Sequence, residues 1–324
     1  MKGKHTVSVE TRRVKYEITL NRNITIIQGN SATGKTTLIG YIDDYYNEGK
    51  KSGVKLKCDK TCIVLKGKNW QLDLEQITDS IVFIDAGSKF IKSNDFADAI
   101  KHTDNYYVII TREDLSSLPY SVHEIYGLRS NGSTESGTQL YNETYRIFGK
   151  YITDKGVTPD VVITEDDKSG FQFFSEVCNR RNIKCETSKG KYNIVKMIDN
   201  RYAGSTVLII ADGAAFGPHM REVMEYVDMY PNYIIYLPES FEWLLLKSNI
   251  LRDENIIEIL SSPSDYIDST QYFSWERYFT HLIEEVSLSS TIVTNYTKSK
   301  LNKIFLSEAN INKVLDVILY INLR

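Results

Sequence analysis

No apolar run in these 324 residues approaches the roughly twenty needed to cross a bilayer, and the opening MKGKHTVSVE lacks the apolar core of a signal peptide. A membrane role is therefore not expected, and a cytoplasmic location is. Basic excess is also lacking: the net charge is −3, so there is no global signature for nucleic acid, though a local patch would still steer one. Cysteine is scarce. Cys58, Cys62, Cys178 and Cys185 include no C-x-x-C pair, and no histidine cluster lies near them. They read as reduced core or strand residues and not as zinc ligands. Tyrosine, at 22 residues, is the abundant aromatic and fits packing at half-buried positions.

What is present is concentrated in Ile24 to Leu38, ITIIQGNSATGKTTL. A short apolar run leads through glycine into an apolar-periodic segment, which predicts a strand, a turn and then a helix over about Lys35 to Tyr46. The turn, Gly29-Asn30-Ser31-Ala32-Thr33-Gly34-Lys35-Thr36, fits G-x-x-x-x-G-K-[ST], with Thr37 following. Glycines let such a loop curl so that successive N–H groups face phosphate oxygens, and the helix adds its positive N-terminal end. Lys35 can reach the β- and γ-phosphates, and the Thr36 hydroxyl can hold Mg²⁺. These residues resemble the Walker A motif of P-loop nucleotide phosphatases. ATP with Mg²⁺ is the expected ligand, because no Asn-Lys-x-Asp reader of guanine occurs. A small-molecule kinase would carry the same loop.

Around the loop, Thr6 to Glu10 and Val14 to Leu20 alternate as a hairpin, and Val54 to Lys57 with Cys62 to Leu65 read as a second one. Ile81-Val82-Phe83-Ile84-Asp85 is a buried-strand pattern ending in a carboxylate, as in Walker B, where Asp85 would hold Mg²⁺. A hairpin ahead of Walker A resembles the start of ABC-type and DNA-repair-type ATPases. Two features depart from that family: Ala86 and Gly87 stand where a catalytic Glu usually follows, and the ABC signature is missing. Tyr106 to Ile110 predicts another strand, followed by Thr111-Arg112-Glu113-Asp114. The resemblance implies a γ-phosphate sensor there, Thr111 or Arg112, and Glu113 is the candidate to replace the missing catalytic Glu. Ser121 to Gly127 reads as a last edge strand. The Ser- and Gly-rich run Arg129 to Thr138 reads as a linker.

Beyond it lies a β-α-β-α-β-α-β succession. Its strands are Val161 to Glu165, Ile183 to Glu186, Val207 to Asp212 and Tyr233 to Leu237, with helices at Phe171 to Arg181, Tyr192 to Asn200 and Met220 to Met229. Parallel sheets bind ligands beyond the carboxyl ends of their strands, which places Glu165 and Asp212 at a candidate site. The run Val161-Val162-Ile163-Thr164-Glu165-Asp166 and the separation of Glu165 from Asp212 resemble the Toprim domains of topoisomerases, primases and the OLD-type nucleases. That resemblance implies a divalent-metal site formed by Glu165, Asp166 and Asp212, with Glu165 and Asp212 catalytic. The usual second Asp is absent from Asp212-Gly213-Ala214, and Glu239 or Glu242 is the candidate substitute. The stripe Trp275, Tyr278, Phe279 and Leu282 reads as packing. Lys298, Lys300 and Lys303 read as a solvated basic face.

The expectation is thus an α/β chain in four parts: a P-loop domain over 1–128, a linker over 129–157, a Toprim-like domain over 158–245 and a helical region over 246–324. In order of parts it resembles the OLD-type proteins of bacterial phage defence. The resemblance implies an ATP-regulated, metal-dependent nuclease or phosphoryl-transfer enzyme acting on DNA or RNA, as a homo-oligomer or with a partner protein. The competing expectation is a nucleotide-sensing regulator or scaffold whose second domain has lost its chemistry.

Overall fold

The computed structural model describes residues 1–29, 33–133, 139–149, 156–198, 201–202, 204–251, 253–290 and 295–323. Asn30, Ser31 and Ala32 of the glycine-rich turn lie outside these, as do residues 134–138 of the expected linker. The chain forms two units. Unit 1 is Met1–Phe148 with Pro263–Phe273, and unit 2 is Gly149–Ser262 with Ser274–Arg324. Among the described residues no helix is long and apolar enough to cross a membrane.

Unit 1 runs β1 (His5–Glu10), β2 (Val14–Leu20), β3 (Ile24–Gln28), α1 (Lys35–Glu48), β4 (Lys55–Lys57), β5 (Thr61–Val64) and α2 (Trp70–Glu75). It continues through β6 (Ser80–Ile84), α3 (Asn94–Ile100), β7 (Asn105–Ile110), β8 (Ile125–Ser133) and β9 (Leu140–Arg146). One nine-stranded sheet takes them in the order β4-β1-β2-β9-β8-β3-β7-β6-β5. β3, β7, β6 and β5 are parallel neighbours; the first three are buried throughout, as their apolar runs require, and β5 at the edge is partly exposed.

The second expected hairpin does not form. β4 pairs antiparallel with β1, and β5 pairs parallel with β6, so the two occupy opposite edges of the sheet. Only residues 58–60 join them, so the sheet must curl until its edges approach. α1 fills the curl: its Leu38, Ile39 and Ile42 pack with Val7, Val9, Tyr16, Ile18, Ile27, Phe83 and Ile110. On the other face Trp70, Phe90, Phe96 and Tyr107 stack edge-on and face-on. Phe96 and Tyr107, the fully buried members, each contribute on the order of 1.5–3 kcal/mol.

The expected edge strand at 121–127 and the expected linker after it are corrected together. β8 lies inside the sheet between β9 and β3, and it extends through Ser133. The run is poor in β-formers, yet β3 pairs with Ile125–Gly127 on one side and β9 with Tyr126–Ser133 on the other, and pairing overrides propensity. Unit 1 therefore continues to Phe148, and it recruits 263–273 as well: the Ser264 carbonyl accepts from Gly3 N–H at 2.8 Å and the Phe273 carbonyl from Asn23 Nδ2 at 3.2 Å.

Unit 2 runs β10 (Val161–Thr164), α4 (Ser169–Arg180), β11 (Lys184–Thr187), α5 (Ile194–Ile198), β12 (Val207–Ile210), α6 (Met220–Met229), β13 (Tyr233–Tyr236), α7 (Phe241–Lys247) and α8 (Glu254–Ser261). The chain leaves for unit 1 through α9 (Pro263–Tyr266) and returns as α10 (Trp275–Ser289) and α11 (Glu308–Val317). Its sheet is parallel throughout, in the order β11-β10-β12-β13. After β10 the order turns one way to β11 and the other way to β12. Such a reversal leaves a crevice at the carboxyl ends of the two central strands.

Candidate functional site

Two places gather the residues singled out above, one in each unit. In unit 1 the parallel register sets Ile27 level with Ile110 and Ile84 level with Ile109, so Gly29, Thr111 and Asp85 emerge from the same edge of the sheet. Gly34, in the left-handed region at φ 83°, turns the chain into α1 and has no side chain to cap it. The first helical N–H groups therefore face outward, with Thr36 and Thr37 exposed. Lys35 is buried, at 9 % exposure. Its ammonium donates to the Gly29 carbonyl at 3.0 Å and to Thr33 Oγ1 at 2.6 Å, bracing the loop across its own turn. Burial, with the Arg112 guanidinium nearby, lowers its pKa.

The candidates after β7 separate. The Thr111 hydroxyl closes a local turn on Glu113, accepting from its N–H at 3.0 Å and donating to its carbonyl at 3.2 Å. Arg112 is the one whose charge reaches Lys35. Glu113, the candidate water-orienting residue, forms an exposed ion pair with Lys92. Asp85 Oδ1 accepts from the Ala86 N–H at 2.8 Å.

In unit 2 the strand pairing Thr164↔Ile210 brings Glu165 and Asp212 to adjoining carboxyl ends, and Glu165 Oε2 accepts from the Asp212 N–H at 3.2 Å. The loops behind them are laced together. Gly213 N–H donates to the Pro238 carbonyl at 2.7 Å, and Asp212 Oδ1 accepts from Phe241 N–H at 3.2 Å. A Cβ on Gly213 would lie 2.8 Å from the Leu237 carbonyl, so only glycine fits. Ala214, where the resemblance places a second Asp, is buried. Asp166 spends one oxygen on the start of α4, accepting from Phe171 N–H at 3.1 Å.

Of the two candidate substitutes, Glu242 enters the cluster, and Glu239 gives its backbone carbonyl to Ala214 N–H. Glu242 is fully buried at 0 % exposure. Its Oε1 accepts from Tyr296 Oη at 2.7 Å and from Ser169 Oγ at 3.5 Å, and Oε2 has no hydrogen-bond partner. Two further members were not legible as such. Glu276, on the α10 helix read as packing, reaches the cluster, and Lys298 is no solvated lysine: its Nζ lies 2.8 Å from Glu276, 3.7 Å from Glu242 and 3.9 Å from Asp212. Lys300 and Lys303 do remain exposed.

An open recess of about 470 Å³ lies over this cluster, with Glu165, Asp166, Asp212, Glu276 and Lys298 in its wall. Burial raises the pKa of Glu165 and of Asp166, against the pull of Lys191 and Lys298 respectively. Burial, together with Glu276, Glu165 and Glu242, raises Asp212 well above the carboxylate range. Burial would raise Glu276 too, but Lys298 and Lys191 outweigh it and its pKa is lowered. The difference follows the distances, since the short bond from Lys298 goes to Glu276 and leaves Asp212 in the crowd.

Carboxylates in excess of cations are the donor set of a hard divalent ion. Glu165, Asp166 and Asp212 suit one, each having a second oxygen beyond the one given to a backbone N–H. Among the described residues no ready-made group of three or more Asp, Glu, His or Cys ligands is assembled.

The thiols lie elsewhere. All four are free, and Cys62 Sγ donates to the Lys60 carbonyl at 3.9 Å. Compared with known proteins, the chain matches no family model and no curated protein.

Proposed function

We propose that this chain is an ATP-binding P-loop protein in which nucleotide and Mg²⁺ regulate a Toprim-like, metal-dependent nuclease or phosphoryl-transfer centre in unit 2, as in a bacterial defence or mobile-element system. The observation that carries it is the meeting of Glu165 and Asp212 at adjoining ends of parallel strands, at the point where strand order reverses. In this reading Lys35 and the N–H groups opening α1 hold the phosphates, with Thr36 and Asp85 toward Mg²⁺. Glu165, Asp166 and Asp212 hold a divalent ion, whose charge would stabilise the oxygens of a DNA or RNA phosphodiester. A partner protein or a second copy would supply the water-orienting group that Ala86 does not.

The test is cleavage of labelled DNA and RNA with Mn²⁺ or Mg²⁺. Glu165→Gln and Asp212→Asn should each abolish it without loss of fold. Cleavage that persists in both variants would remove the catalytic assignment.

One observation favours a second reading, a nucleotide-sensing regulator or scaffold whose unit 2 does no chemistry. Lys298 already neutralises part of the carboxylate cluster. Nucleotide binding with no cleavage of any nucleic acid under any metal would select it.

A further inference from the structure

Lys298 is built into unit 2 and is not a mobile surface side chain. Its carbonyl accepts from Ser169 N–H at 3.0 Å, at the first residue of α4. The Gln172 side chain grips the same turn from both sides, donating to the Ser299 carbonyl at 2.9 Å and accepting from Leu301 N–H at 2.8 Å. Tyr296, two residues earlier, is buried and bonds both Glu242 and Ser169, at 2.7 and 2.8 Å. The backbone on either side of Lys298 is thus fixed to the helix that follows β10, and the ammonium is delivered to one place.

That place is where three carboxylates point. Asp212, Glu242 and Glu276 come from the end of β12, the first turn of α7 and the first turn of α10. Glu242 Oε2 is the independent witness. It is wholly buried and has no hydrogen-bond partner, a costly state for a carboxylate oxygen unless a cation stands near. The cation that stands near is Nζ of Lys298, at 3.7 Å.

We infer that the Lys298 ammonium is the resident cation of the Asp212–Glu242–Glu276 side of the cluster. This side takes no divalent ion, and the site holds at most one, on the Glu165–Asp166–Asp212 side. The inference deepens the metal reading of unit 2 and rests on it only for the ion in the unaltered protein. Chemically, a lysine serves as a fixed unit charge in a position that a divalent ion would otherwise fill, and Asp212 is shared between the two cations.

Manganese binding to the full chain, without nucleotide, tests this. Equilibrium dialysis counts the ions, and electron paramagnetic resonance reports whether two ions share a ligand, because a bridged pair is exchange-coupled. The unaltered protein should show uncoupled Mn²⁺ that disappears in Asp212→Asn. Lys298→Met keeps the length of the stem and removes the charge, and it should gain one ion per chain and a coupled spectrum. Lys298→Arg should behave as the unaltered protein does. A coupled pair in the unaltered protein overturns the inference, as does a folded Lys298→Met variant that gains no ion. Should Lys298→Met fail to fold, Lys298→Met with Glu276→Gln removes one charge of each sign and is read in the same way. If the unaltered protein binds no ion at this cluster and Lys298→Met binds one, the resident-cation role stands and the metal reading of the native site falls.

Discussion

Tyr16 donates a hydrogen bond from its hydroxyl to the Gly34 carbonyl, 3.1 Å away, tying the second strand of the N-terminal hairpin to the residue before Lys35. Burial, together with Tyr41, pushes the phenol up to about 12, so it remains a donor across the physiological range. A Cβ on Gly34 would lie 2.6 Å from this hydroxyl, at a φ of +83° that L-residues avoid. Gly34→Ala is therefore expected to cost about 1–2 kcal/mol from backbone strain alone, and to weaken ATP binding at least tenfold. Tyr16→Phe should cost about 1 kcal/mol. The double variant should cost less than the sum, because removing the hydroxyl removes the closest clash. Urea titrations of all four proteins measure this, and strict additivity would show that the two residues do not act on each other.

Lys35→Ala should abolish measurable ATP binding by calorimetry. The variant should also lose some stability, about 1 kcal/mol, since the ammonium braces Gly29 and Thr33. Unchanged affinity would remove the Walker A assignment.

ATP turnover by the isolated chain should be slow. Ala86 follows Asp85, and Glu113 is engaged by Lys92 at the surface. Glu113→Gln should leave stability nearly unchanged, as exposed ion pairs contribute little. Phosphate release fast enough to resemble a dedicated ATPase, and retained in Glu113→Gln, would contradict this.

His219 gives a pH dependence with a definite sign. Burial, with Lys191 nearby, lowers its pKa from 6.5 to about 4. The folded pKa lies below the unfolded one, so the unfolded chain binds the proton more readily. The contribution to stability is complete above about pH 6.5 and is lost as pH falls toward 4, by on the order of 3 kcal/mol at most. His219→Gln should flatten this part of the profile. The comparison with the native chain over pH 4–7 isolates the histidine from the carboxylates, and parallel profiles would refute the assignment.

Tyr296→Phe removes one of the two donors to Glu242 Oε1. With the carboxylate fully buried, the expected loss is about 1–3 kcal/mol in the unfolding of unit 2, larger than for a surface tyrosine. A loss within error would mean that water replaces the phenol.

The parts of the fold legible in the sequence were those with local periodicity. The strands around the glycine-rich turn and the alternating elements of unit 2 lie within a few residues of their expected bounds, because apolar runs and turn residues mark them directly. Pairing partners were not legible where adjacency misled. β4 and β5 are joined by three residues, yet each finds its partner elsewhere because the sheet curls around α1. At the unit 2 cluster, Glu165 and Asp212 could be named from strand ends alone. Glu276 and Lys298 could not, since each sits in a segment whose local pattern says packing or surface, and only the return of α10 and the turn at 297–301 to α4 and β12 gives them a role.

Residues 263–273 have a consequence for synthesis. They supply partners to Met1, Gly3, Asn23 and His102, so the unit that begins emerging from the ribosome first is not complete until residue 273 has been made. All four strands of the other sheet leave the exit tunnel before this segment does. A nascent chain halted at 262 would carry both sheets and still lack a piece of the first unit, so that unit matures only after the sheet of the second has been made.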